Sequence, residues 1–176
     1  GDWSSDVCSS DLGFTVVICL TAAAWLSWAV VRAREEARSA QCVGHFKQLG
    51  LALLNYESTY GCLPPAYVAD AQGEPLYSWR VLILPFLEEQ AVYQAIRLDE
   101  PWNGPNNSKL HSKGPARFFC PNDPEAAENG FTSVLGVVGP GTLFPGGGKS
   151  ARLADIRDDP DSTLMLVESD NAKIHW

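Results

Sequence analysis

The chain has 176 residues, of which 13 are basic and 21 acidic, and its formal net charge is −8. This length suits one globular domain with an anchor better than two domains. Beyond the N-terminal apolar stretch, Glu35 and Glu36 dilute the three basic residues Arg32, Arg34 and Arg38. The composition therefore argues against nucleic-acid binding.

The first segment, Gly1–Leu12, reads GDWSSDVCSSDL and has neither periodicity nor a basic residue. Residues 2–12 can be back-translated, codon by codon, into the string of a common short-read sequencing adapter. We therefore predict that residues 1–12 are a translated artefact, and that the natural N-terminus lies elsewhere. The alternative is a polar segment without regular structure.

The next segment, Gly13–Val31, carries no charged residue and is about as long as a helix that crosses a bilayer. Trp25 and Trp28 lie toward one end, where interfacial aromatic residues prefer to be. We predict a transmembrane helix over residues 13–31, in contact with membrane lipid. A cleaved signal sequence and a buried core helix are the alternatives.

Residues 32–60 predict a helix that continues the anchor, because no Gly or Pro interrupts residues 14–43. Farther along, apolar residues recur at steps of four and three: Cys42, Phe46, Leu49, Leu53, Tyr56 and Tyr60. This spacing predicts an amphipathic helix whose apolar stripe packs on the rest of the chain. Gly61 and the following prolines predict its end.

Residues 61–176 predict a globular domain of short elements. The stretch YSWRVLILPFLEEQAVYQAI predicts a strand or short helix that breaks at Pro85 and resumes as a helix through Ile96. TSVLGVV and STLMLVES predict buried strands, because both are short and rich in β-branched and aliphatic residues. One long helix on a small, mainly antiparallel sheet with long loops is an α+β fold.

The sequence motifs that could indicate an enzyme active site are incomplete or absent. GGGKS ends like a phosphate-binding loop, but the glycine required five residues before Gly148 is Leu143. The histidines His45, His111 and His175 are scattered, and no G-x-S-x-G nucleophile elbow occurs. We therefore expect no enzyme and no cofactor.

Metal-binding patterns are also weak. Asp123, Glu125 and Glu128 in CPNDPEAAEN offer carboxylates for calcium, but their spacing is not that of an EF-hand, and the two prolines favour a tight turn. Clustered His/Cys spacing for zinc is absent. The odd number of cysteines after the anchor predicts one disulfide and one free thiol if the domain is exported.

Six motifs follow one another along residues 33–176: AREEARSAQCVGHFKQLGLALLNYESTYGCLPPAY, SWRVLILPFLEEQAVY, LDEPWNGPNN, FFCPNDP, TSVLGVVGPGTLFPG and STLMLVES. Together they resemble a large bacterial family of pilin-like proteins of unknown function, abundant in planctomycete-type bacteria and labelled with a prepilin-type cleavage and methylation segment. Because the family usually continues past Trp176, we expect the chain to be truncated at both ends.

The resemblance implies a prepilin cleavage between Gly13 and Phe14. Filament-forming pilins usually carry Glu at the fifth mature position, which is Ile18 here. A glutamate in hydrocarbon is costly unless it is paired, and in pilins it pairs with a neighbouring subunit. This departure leaves it open whether the chain polymerises.

The resemblance further implies a membrane-anchored structural or interaction protein of a type II secretion or type IV pilus-like system, with other pilin-like subunits as partners. It places the globular domain outside the cytoplasmic membrane, with Cys42 and Cys120 as the disulfide and Cys62 as the free thiol. The arginines after the anchor argue for the opposite topology, because positive flanks prefer the cytoplasm.

A different class of function is an exported domain that binds a carbohydrate or another small ligand. Tyr67, Tyr77, Trp79 and Trp102 could form its aromatic platform, and exposed, coplanar rings would favour it. The alternative interpretation is that these rings are core and loop anchors. A hydrolase would need a cleft with clustered titratable groups.

Overall fold

The computed structural model of the chain describes residues 6–156, 163–169 and 172–176, with the backbone alone for residues 6–12. Contacts divide the chain into two compact units, Gly1–Ala40 and Gln41–Trp176. Helix α1 (Asp6–Tyr60) belongs in sequence to both units, so the predicted uninterrupted helix from residue 14 to residue 60 is confirmed. Its first turns lie in the segment that we interpret as an artefact, and that interpretation stays a prediction.

Within the N-terminal unit, residues 13–40 expose every side chain. The hydroxyls of Thr21 and Ser27 donate hydrogen bonds to the carbonyls of Ile18 and Ala24, at 2.9 and 2.8 Å. These bonds satisfy the two hydroxyl donors within the apolar stretch without a partner outside the helix. An 18-residue window of the helix has the length and composition to cross a membrane, and none of this window is buried.

The part of α1 in the second unit buries the predicted stripe. Leu49 and Leu53 are fully buried, while Phe46 and Tyr56 are half-buried against the same core. Tyr60 departs from the stripe prediction, because its ring is 62% exposed at the last turn of the helix. The helix ends at Tyr60, and the next residue, Gly61, has a positive φ and donates its N–H to the carbonyl of Glu57.

Four short strands form two separate antiparallel pairs in the described part of the chain, rather than one sheet. Strand β1 (Tyr67–Ala69) pairs with β2 (Pro75–Ser78), and β3 (Val134–Gly136) pairs with β4 (Leu166–Glu168). The predicted strands TSVLGVV and STLMLVES are β3 and β4. The α+β class is thereby confirmed.

Short helices connect these pairs: α2 (Trp79–Ile83), α3 (Gln90–Ala95) and α4 (Pro124–Asn129), with 3₁₀ turns at Leu84–Leu87, Asn107–Lys113, Ala116–Phe118 and Leu153–Asp155. The break predicted at Pro85 is the first 3₁₀ turn, and the helix resumes as α3. The aromatic core centres on Trp79, which meets Phe118 edge-on and Phe144 at ring-centroid distances of 6.3 and 5.6 Å.

Candidate functional site

The two cysteines that the resemblance pairs lie side by side. Cys42 on α1 and Cys120, which follows the 3₁₀ turn Ala116–Phe118, place their sulfurs 3.2 Å apart as free thiols. The backbone N–H of Cys120 donates to the hydroxyl of Ser133, which fixes the loop at this point. The half-buried thiol of Cys62 is also free. The structure therefore brings the predicted partners together, and the disulfide itself stays a prediction.

A carboxylate completes this cluster. The Cys42 thiol lies 3.6 Å from Oε1 of Glu168 on β4, and the two sulfurs and the carboxylate oxygen lie within 4.8 Å of one another. Burial raises the pKa of the Cys120 thiol to about 12, and the hydrogen bond with Glu168 adds to this shift. Burial also raises the pKa of Cys42.

The cluster supports two chemistries. Oxidation of the adjacent thiols gives a disulfide, and deprotonation of both gives a thiolate pair that, with the carboxylate, suits a soft divalent metal such as zinc. No short sequence motif predicts the cluster, because Cys42 and Cys120 are 78 positions apart. The sequence analysis did not identify Glu168, because it too is distant in sequence from both cysteines.

The acidic loop proposed for calcium has a structural use. Asp123 caps the N-terminus of α4, where its carboxylate accepts a hydrogen bond of 2.9 Å from the Ala126 N–H. Glu125 and Glu128 are exposed on α4. Among the described residues, the ligand atoms that converge as a metal-binding group are those of the thiol cluster, not those of this loop.

The residues at the predicted cleavage site lie within α1. Gly13 and Phe14 are both exposed, and Phe14 exposes 70% of its surface. Ile18, which stands where filament-forming pilins usually carry Glu, is also exposed. Cleavage between residues 13 and 14 stays a prediction.

The aromatic residues separate into core and surface. Trp79 is 3% exposed and belongs to the core. Tyr67, Tyr77 and Trp102 are half-buried and line one groove with a volume of about 350 Å³, bounded also by residues 174–176. We call this feature the aromatic groove.

Arg80 also lines the aromatic groove, and the sequence reading missed it. Its guanidinium donates to the carbonyl of Val134 and, at 3.4 Å, to the hydroxyl of Ser78, and it stacks over the Trp79 ring at 4.9 Å. Burial lowers its pKa to about 10, so the group stays charged at neutral pH. The sequence feature that could have indicated a buried arginine is the single Arg in the largely apolar run YSWRVLILPF.

Two of the three histidines form a ring stack beside this groove. The rings of His111 and His175 lie 4.0 Å apart, and His111 stacks on Trp102 at 5.2 Å. The His111 Nε2–H donates to the Trp102 carbonyl at 3.0 Å. Burial lowers the pKa of His175, with a smaller contribution from His111. The sequence reading treated these histidines as scattered because proximity across 64 positions leaves no local pattern.

The comparisons with known proteins give one match. The family model described as "Protein of unknown function (DUF1559)" matches residues 31–173. Neither the curated proteins nor the solved structures contain a match to the chain. The matched span covers all six motifs on which the resemblance was based, from the helix after the anchor to the last strand. The chain therefore belongs to the DUF1559 family, the planctomycete-type pilin-like family of unknown function.

Proposed function

We propose that this chain is a membrane-anchored, exported pilin-like protein with a structural or interaction role, and that it is not an enzyme. Residues 13–31 contact membrane lipid, and other pilin-like subunits of a type II secretion or type IV pilus-like system are its partners. The observation that carries the proposal is the uncharged, fully exposed stretch of helix over residues 13–31, which continues in sequence as a core helix of the domain.

The proposed topology places the globular domain outside the cytoplasmic membrane. Its support is the family resemblance, which covers residues 31–173 and implies an exported domain. In an exported domain the neighbouring thiols of Cys42 and Cys120 would oxidise to a disulfide. Arg32, Arg34 and Arg38 are the opposing observation, since positive residues after an anchor favour the cytoplasmic side. We give more weight to the resemblance because it covers most of the chain, whereas the charge count concerns one flank of the anchor only.

Thiol labelling in intact cells tests whether the domain is exported and whether Cys42 and Cys120 form a disulfide there. Free thiols are blocked with a membrane-permeant maleimide, the protein is denatured, and newly exposed thiols are counted with a maleimide-polymer conjugate before and after reduction. We expect two thiols that appear only after reduction. Cys42→Ser and Cys120→Ser should each abolish them, while the matched control Cys62→Ser should leave both.

Each alternative gives a distinct result. If the first maleimide blocks thiols 42 and 120, or the conjugate labels them without reduction, the pair is reduced, which contradicts an exported domain with a Cys42–Cys120 disulfide. Thiols that a chelator releases, and that need no reductant, mean a metal in place of the disulfide. Carbonate extraction of the same cells tests the anchor separately, because a spanning helix stays in the membrane pellet.

A further inference from the structure

We propose that the aromatic groove binds a small ring-bearing carboxylate, with Arg80 as its anion-binding residue and the rings of Tyr67, Tyr77 and Trp102 as its platform. The proposal goes beyond the structural function above and does not depend on it. A sugar acid and an aromatic acid share this chemistry, and the test below distinguishes them.

The charge of Arg80 is the first argument. The residue is 5% exposed, and no carboxylate in the described part of the chain forms an ion pair with it. Burying a guanidinium without a counter-charge is costly, because its hydration is lost and the neutral Val134 carbonyl, Ser78 hydroxyl and Trp79 ring supply no full negative charge. A ligand carboxylate in the groove would supply that partner where solvent screening is weak.

Unused hydrogen-bond donors are the second argument. Within residues 6–156, 163–169 and 172–176, no acceptor contacts the buried Nε of Arg80 or the buried Nε1 of Trp102. Buried donors are nearly always paired, so two unpaired donors on residues that line one groove indicate that an acceptor is missing beside it. A carboxylate suits a guanidinium because its two oxygens accept parallel N–H bonds, and a ligand hydroxyl suits the indole N–H.

The groove lining is the third argument. The chain has a net charge of −8, yet none of the described residues that line the groove is acidic. An anion can therefore approach Arg80 past these residues without meeting a like charge. The volume of about 350 Å³ lies at the lower end of the range for small-molecule sites, which suits a single ring.

A titration of the full chain in mild detergent tests the proposal. Tryptophan fluorescence is followed during addition of glucuronate or benzoate, with glucose and benzyl alcohol as the matched neutral compounds. We expect saturable binding of at least one acid and none of its neutral counterpart. Binding of glucuronate identifies the ligand class as sugar acids, and binding of benzoate identifies it as aromatic acids.

Variants separate the proposed roles. Arg80→Lys keeps the positive charge but loses the planar guanidinium, which can donate two parallel hydrogen bonds to a carboxylate. We therefore expect the variant to bind the acid at least about tenfold more weakly. Tyr77→Ser should also weaken binding, and it keeps the test available if the Arg80 variant fails to fold. Arg117→Lys is the control, since Arg117 pairs with Glu89 outside the groove and should not matter. The proposal is overturned if neither acid binds, if the neutral compounds bind equally well, or if Tyr77→Ser and a folded Arg80→Lys both bind like the parent.

Discussion

Two stretches of helix α1 have the same backbone conformation and opposite burial. Residues 13–31 carry no charged residue, yet each of their side chains is exposed. Residues 41–60 are amphipathic, and their apolar face places Leu49, Ala52 and Leu53 in the core. Helix formation is therefore a local property here, while burial of the second stretch depends on long-range packing.

Residues 13–31 are exposed, although their composition is typical of a buried segment. Trp25 exposes 72% and Leu26 67% of their surfaces. A continuous apolar surface of this kind is rare on monomeric soluble proteins, because water gives it no favourable environment. Lipid does, and the proposed function therefore assigns the first stretch to the membrane, as the second belongs to the protein core. The predictions below separate these two environments.

The largest effect is expected in the core stretch. Leu53→Ala should lower the free energy of unfolding by about 2–5 kcal/mol, because it removes buried contacts and leaves a cavity. Leu51→Ala is the matched control on the same helix, since Leu51 is 59% exposed and its truncation should cost little. Urea unfolding in mild detergent, followed by near-UV circular dichroism, measures both. Equal midpoints for the two variants would mean that the stripe is not core.

A charged residue introduced into residues 13–31 should weaken insertion of this helix into the membrane and leave the folding of the globular domain unchanged. Leu20→Lys places an ammonium near the middle of the span and should cost about 2.5–3.5 kcal/mol of insertion free energy. The fraction of the chain that floats with membranes in a density gradient should therefore fall. Leu98→Lys is the control, because Leu98 lies in the globular domain and is already partly exposed. Unchanged flotation of Leu20→Lys would argue that residues 13–31 do not span a bilayer.

A smaller effect is expected at α4, which is too short for an extended apolar face and relies on its cap. Asp123→Ala removes the acceptor for the Ala126 N–H and should cost about 1 kcal/mol of stability. Glu125→Ala should cost less, since Glu125 is exposed. Thermal melts with and without calcium measure both variants. A calcium-dependent rise in melting temperature that Asp123→Ala abolishes would instead favour the calcium site considered from the sequence.

The smallest effect concerns pH. The pKa of His175 is lowered in the folded chain, mainly by burial, so the unfolded chain takes up its proton at a higher pH. Stability should therefore fall as pH drops below about 6.5, the ordinary histidine pKa, and level off below the folded pKa. His175→Gln should flatten this part of a melting-temperature profile between pH 7.5 and pH 5. A parent profile that rises toward acid, or a variant profile as steep as the parent's, would contradict the assignment.

Local patterns allowed much of the fold to be predicted. The stripe from Cys42 to Tyr56 and the two β-branched strands depend on neighbours in sequence, so periodicity sufficed. Arg80 and Glu168 were missed because their importance comes from long-range packing: one is buried without a carboxylate partner, and the other meets two thiols from distant segments. The split into two strand pairs was missed because pairing partners cannot be read from alternation alone.

Membrane topology tests the central claim most directly. Alkaline phosphatase, which is active only after export, is joined by a flexible linker after Trp176 of the chain expressed from the intact gene. A green fluorescent protein that matures only in the cytoplasm is joined at the same residue as the matched reporter. If the domain is exported, the phosphatase fusion is active and the fluorescent fusion is dark. A fluorescent fusion with an inactive phosphatase would place the domain in the cytoplasm and contradict both export and the Cys42–Cys120 disulfide.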